Sequence, residues 1–102
     1  MIAFIKKLLG IKSVDYKAVM ANGAIIIDVR TPGEYSTGHI KGSINIPLDQ
    51  IKNRVAEIKK KNKAVITCCR SGARSGMAKS ILAAQGIEVY NGGPWNSLIN
   101  KI

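Results

Sequence analysis

The stretch Ala64-Val65-Ile66-Thr67-Cys68-Cys69-Arg70-Ser71-Gly72-Ala73-Arg74-Ser75 decides how this chain is read. Ala64 to Cys68 is a short, nearly continuous apolar run, as expected of a strand buried on both faces. A helix is expected from about Arg74 to Ala84, closed by Gln85-Gly86. Cys69 therefore sits just before a helix N-terminus, where unpaired backbone N–H groups and the helix dipole favour an anion. A thiolate is an anion, so this position should make Cys69 acidic and reactive. Arg70 and Arg74 add fixed positive charge, and Ser71 and Ser75 supply hydroxyl donors. Gly72 lets the backbone fold back into an anion-binding nest completed by Ala73. Cys68 reads as a core residue.

Outward from this segment the chain alternates strands with helices. Ala24-Ile25-Ile26-Ile27 is a second buried run, and shorter strands are expected at Ile11 to Val14, Ser43 to Ile46 and Ile87 to Tyr90. Asp15 is a good N-cap for a helix from Tyr16 to Ala21, ended by Asn22-Gly23. Thr31-Pro32 begins a turn and one helical turn to Tyr35. Leu48, Ile51, Val55 and Ile58 recur by three and four, predicting an amphipathic helix from Leu48 to Lys60. Asn91-Gly92-Gly93-Pro94 reads as a tight turn, with a last helix from Trp95. The pattern defines an α/β domain with a mainly parallel sheet. Ile2, Ile5, Leu8 and Leu9 are spaced as on a short amphipathic helix stopped by Gly10, which divides the chain into an N-terminal helix at 1–10 and a domain at 11–102.

A chain of 102 residues with 46% apolar composition is one globular domain. Lys and Arg total 16 against 6 acids, a net charge of +10 that favours anionic partners. Lys59, Lys60, Lys61 and Lys63 are read as a solvated helix end, not a nucleic-acid patch, because none of the aromatic residues lies among them. Adjacent cysteines lie about 3.8 Å apart at Cα, too close for an ordinary disulfide. Free thiols suit a reducing compartment, and no stretch is long and apolar enough to span a bilayer, so a cytoplasmic protein with no stable membrane insertion is expected. No metal or cofactor is called for. The oligomeric state is left open.

Two chemistries use a thiolate in such a cradle. A cysteine phosphatase loop carries one residue more between cysteine and arginine than the four separating Cys69 from Arg74. Counted from Cys68 the number is five, so a phosphatase or arsenate reductase stays open as an alternative, although Thr67 stands where a histidine usually precedes the nucleophile. The tighter loop from Cys69 suits a single sulfur atom.

The stretch Cys69 to Ser75 resembles the active-site loop of the rhodanese family. Ile27-Asp28-Val29-Arg30 resembles the family's Asp-Val-Arg block. Glu34-Tyr35, Gly38-His39-Ile40, Gly42-Ser43 and Asn45-Ile46-Pro47 resemble its next signature, and Gly92-Gly93 with Trp95 its closing block. The resemblance covers about Val14 to Leu98. It implies a parallel five-stranded sheet flanked by helices on both faces, and a double displacement in which Cys69 takes sulfur from a donor such as thiosulfate and yields it to cyanide or to a small or protein thiol. Arg70, Ser71, Gly72, Ala73, Arg74 and Ser75 would bind the anionic donor. Asp28, Arg30 and Glu34 are expected to form an ion-pair network that shapes the loops, His39 a structural hydrogen bond, and Trp95 a core anchor. A non-catalytic binding module of the same fold is the remaining alternative.

Overall fold

The computed structural model describes residues 14–102. The expected helix at 1–10, and residues 11–13 of the expected first strand, lie outside the described residues. Val14 itself is in no strand. The sheet of the described residues has four strands where five were expected: β1 (Ile25–Asp28), β2 (Ile44–Asn45), β3 (Val65–Cys69) and β4 (Val89–Pro94). They are all parallel, in the order β2-β1-β3-β4. Helix α1 (Tyr16–Ala21) precedes β1, α2 (Pro32–Ser36) links β1 to β2, and α3 (Leu48–Ile51) and α4 (Val55–Lys60) link β2 to β3. Helix α5 (Ala73–Ala84) links β3 to β4, and α6 (Trp95–Leu98) follows β4.

The side-chain alternation of the strands divides the core in two. Ile27, Val29, Val65, Cys69 and Val89 pack with Ile51, Ile58, Ala78 and Leu82 on the face covered by α3, α4 and α5. Ile26, Ile66 and Cys68 pack on the other face with Leu98, Val19, Met20 and Trp95, under α1 and α6. Helices cover both faces, as a parallel sheet requires. Helix α5 ends in a Schellman motif: Gly86 N–H donates to Ala83 O and Ile87 N–H to Leu82 O.

Two segments depart from expectation. The helix from Leu48 to Lys60 is interrupted by a 3₁₀ turn at Lys52–Arg54, with Ile51 before it and Ile58 after it both buried in the core. The expected tight turn at Asn91 to Pro94 is instead the irregular end of β4. Thr67 pairs with Asn91 and Cys69 with Pro94, so β4 spends one residue more than β3 over this stretch. That is a bulge, made possible by the paired glycines. Gly92 fits it because its α-hydrogens lie against neighbours with no room to spare. A Cβ there would come within 2.8 Å of both Ile66 Cγ2 and the Thr67 carbonyl, and 2.9 Å from Leu98 Cδ2. Gly92→Ala is therefore expected to destabilise the fold by roughly 1–3 kcal/mol through overpacking, seen as a lower urea midpoint with an unchanged slope.

Candidate active site: a thiol cradled at a strand-to-helix turn

Central strand β3 runs through both cysteines, and its pleat sends them to opposite faces. Cys68 is fully buried under α1 and α6. Burial, and then the nearby negative charge of Asp28, push its thiol up to about 12. It plays the core role the sequence suggested, and a phosphatase-type loop counted from Cys68 is not built, because that thiol points away from the loop.

Cys69 lies at the carboxyl end of the sheet, where open α/β folds form their sites. Gly72 makes the return turn at φ 102°, a left-handed conformation that side chains resist, and it is the residue before α5 begins. That turn aims backbone donors at the sulfur. Gly72 N–H donates to Cys69 Sγ at 2.9 Å and Ser75 N–H at 3.4 Å, while Ser75 Oγ lies 3.3 Å away. Burial alone would raise this thiol. The Ser75 hydroxyl and the amides of Ser75, Gly72 and Ser71 outweigh that effect, so Cys69 titrates below its ordinary value near 9. The two adjacent thiols are thus driven in opposite directions by the two sides of one sheet.

The charged residues divide into two groups. Arg70 and Ser71 are exposed on the loop, and Arg70 makes no ion pair among the described residues. Arg74, expected with Arg70 to bind a donor anion, is instead bound by both nitrogens to Glu34, at 2.7 Å and 2.9 Å. Glu34 also caps α2. Its carboxylate accepts from Thr31 N–H while the Thr31 hydroxyl oxygen accepts from Glu34 N–H, a complete capping box. Asp28 and Arg30 form a buried pair: Arg30 Nε donates to Asp28 Oδ1 at 2.9 Å and Nη2 to Oδ2 at 2.7 Å. The guanidinium also donates to the carbonyls of Gly38 and Glu34 and lies 4.9 Å over the Trp95 ring. Trp95, half-buried, therefore packs against the core and against a cation together. His39 is exposed, stacked on Tyr35, with Nδ1 2.8 Å from the Tyr35 carbonyl, contacts that hold its own turn.

Asn91 was missed by sequence reasoning. Its Oδ1 accepts from the Ser75 hydroxyl at 2.6 Å and from Gly93 N–H at 2.9 Å, and its Nδ2 donates to Gly72 O at 3.3 Å. The only signal in the sequence was an asparagine ahead of two glycines, which also reads as a turn. A cavity of about 660 Å³, lined in part by Asp15, Asn22, Lys63 and Glu88, lies at the amino-terminal end of the strands, away from Cys69, and neither cysteine lines it.

The fold and site together define a parallel α/β domain that presents an acidic thiol at the end of a central strand, where a three-residue turn, Arg70 to Gly72, leads into a helix. Residues 13–94 match the rhodanese-like domain family, and the chain belongs to that family. It is 45% identical over 69 residues to the thiosulfate sulfurtransferase PspE of Escherichia coli, covering 66% of each chain. It is 46% identical over 69 residues to the Bacillus subtilis protein YqhL, covering 67% of this chain and 54% of that one. The solved structure of an E. coli rhodanese with anions superposes with a TM-score of 0.67 at 41% identity, over 72% of this chain and 89% of the other. The chain thus spans 66% and 54% of the lengths of these two relatives.

The Glu34–Arg74 pair has a pH signature. Hydrogen bonds from Arg74, then from the Thr31 amide, hold the Glu34 carboxyl down from its ordinary value near 4.5 to about 2. A carboxylate depressed in the folded state contributes stability above its unfolded value, and that contribution is lost as pH falls through the folded one. Glu34→Gln is expected to lower the urea midpoint at neutral pH. The gap between variant and parent should hold down to about pH 5, then close as pH falls toward 2, because the parent loses the same pair.

Proposed function

We propose that this protein is a sulfurtransferase, moving a sulfane sulfur from an anionic donor such as thiosulfate to cyanide or a small or protein thiol, through a persulfide on Cys69. The observation that carries the reading is the convergence of the Gly72 and Ser75 amides and the Ser75 hydroxyl on one acidic sulfur. In the first step the Cys69 thiolate attacks the outer sulfur of thiosulfate. A new S–S bond forms, the old one breaks, and its electron pair leaves with sulfite. In the second step the acceptor attacks the outer sulfur and the Cys69 thiolate departs. Neither step needs a proton once the thiol is ionised, so no general base is assigned to His39. The loop donors stabilise negative charge on sulfur in both directions.

Donor binding falls to Arg70, the loop amides and the Ser71 hydroxyl. Arg74 is the buttress that fixes the first turn of α5 against α2 through Glu34. The name of PspE and the anions in the solved E. coli structure support an anionic sulfur donor here. The two free thiols suit the cytoplasm. No helix among the described residues is long and apolar enough to cross a membrane.

Reduced protein incubated with thiosulfate should gain the mass of one sulfur atom, mapped to Cys69 by peptide mass and removed by cyanide. Cys69→Ser should gain nothing, and Cys68→Ala should load like the parent. Loading that survives in Cys69→Ser overturns the assignment, and a folded protein that never loads favours the binding module. Arg70→Ala is expected to raise the KM for thiosulfate roughly tenfold, the low end for one charged contact at an exposed site, with a smaller change in kcat, both read from steady-state sulfite release.

A further inference from the structure

The Ser75 hydroxyl has three neighbours and one proton. Asn91 Oδ1 is nearest at 2.6 Å, Gly72 O lies at 3.1 Å, and Cys69 Sγ at 3.3 Å. While Cys69 is a thiol, its S–H donates to Ser75 Oγ, and the hydroxyl proton is committed to Asn91. When the thiol loses its proton to water, the sulfur becomes an acceptor, and the hydroxyl must turn from Asn91 to serve it. Charge-assisted bonds are the stronger, so the rotation proceeds, but at the expense of the shortest contact the hydroxyl has. Asn91 Oδ1 is not orphaned by the turn, because Gly93 N–H still donates to it at 2.9 Å. That second donor is what makes the rotation reversible at low cost.

We infer that Asn91 is a positioning residue of the sulfur site, competing with Cys69 for the single proton of Ser75 and so setting how readily the sulfur carries negative charge. The inference rests on Cys69 being the sulfur-bearing residue. Its readout is the ionisation of a thiol and not transfer activity, so it can fail or hold whichever way the loading experiment falls. The geometry around Asn91 supports a dedicated role. Its carbonyl oxygen accepts from the Tyr16 hydroxyl at 2.9 Å, which anchors the backbone. On the other side, Gly76 leaves room for the amide, since a Cβ there would lie 3.2 Å from Asn91 Nδ2. Asn91 is still in regular register with Thr67, and the pleat of β4 puts its side chain on the same face as Val89, toward Gly72 and Ser75.

The titratable and charged groups around this end of the sheet are Cys68 beside it in β3, Arg70 in the loop, Arg74 on α5 with Glu34 of α2, and the Asp28–Arg30 pair at the end of β1; of these, Cys68 and Arg74 interact with the charge on Cys69. None is touched by the variants below. Cys68 titrates near 12, so a pH profile of thiolate absorbance, or of alkylation rate, reads Cys69 separately. Asn91→Leu removes the competing acceptor and is expected to lower the pH midpoint of Cys69 ionisation by a few tenths to about one unit, the worth of one neutral hydrogen bond. In a Ser75→Ala background the same substitution should leave the midpoint where Ser75→Ala alone puts it, because no proton remains to compete for. A role confined to holding the loop in place would shift both backgrounds alike, and that result, or an upward shift with Ser75 present, overturns the inference. If circular dichroism shows that Asn91→Leu does not fold, Asn91→Asp carries the test with the opposite sign. The acceptor is retained and charged, so the midpoint rises, and it rises further with Ser75 than without it. Equal rises overturn the inference.

Discussion

Everything at the carboxyl end of this sheet depends on one buried ion pair, Asp28 with Arg30. Charges removed from water cost several kcal/mol each unless every donor and lone pair is matched. Here the matching recruits the neighbourhood. The guanidinium binds both carboxylate oxygens, the carbonyl of Glu34 in α2, the carbonyl of Gly38 just after it, and the face of Trp95. The Asn45 amide bridges the carbonyls of Asp28 and Arg30, tying β2 to the same point. Cutting any tie to the guanidinium leaves a buried charge short of a partner, so segments far apart in sequence are held to one geometry. Glu34 then passes that geometry on: its carbonyl faces Arg30, and its carboxylate holds Arg74 in the first turn behind the sulfur.

The sulfur site is therefore local in origin and long-range in support. Its donors come from the residues just after Cys69, and a glycine in the left-handed region is enough to aim them. What keeps that turn from wandering comes from elsewhere: Glu34 from one side and Asn91 from the other. This division matches the chemistry, because a hydrogen bond to a developing anion is worth most when it is fixed beforehand.

The same division explains what was legible in the sequence. The buried runs at Ala24 to Ile27 and Ala64 to Cys68 were visible because a parallel strand covered on both faces needs continuous apolar residues. Cys69, Gly72 and Ser75 were visible because local chemistry concentrates there. Arg74 was placed in the right loop with a different partner, since no pattern in a sequence reports a carboxylate forty positions upstream. The 3₁₀ break at Lys52–Arg54 left the three-and-four spacing intact and so gave no sign. The bulge at Asn91 to Pro94 was hidden because the residues that permit a bulge also favour a turn, and only the register with β3 tells them apart. The expected strand at Ile11 to Val14 falls almost wholly outside the described residues.

The pleat of β3 has one more effect. Cys68 and Cys69 are neighbours in the chain, yet the sheet stands between their sulfurs. In the proposed cycle, an outer sulfur carried on Cys69 cannot be discharged by the thiol beside it: the strand would have to be pulled out of the sheet and turned over first. The domain thus lacks an internal short circuit. However long a sulfur waits on Cys69, its release is timed by whichever nucleophile arrives from outside.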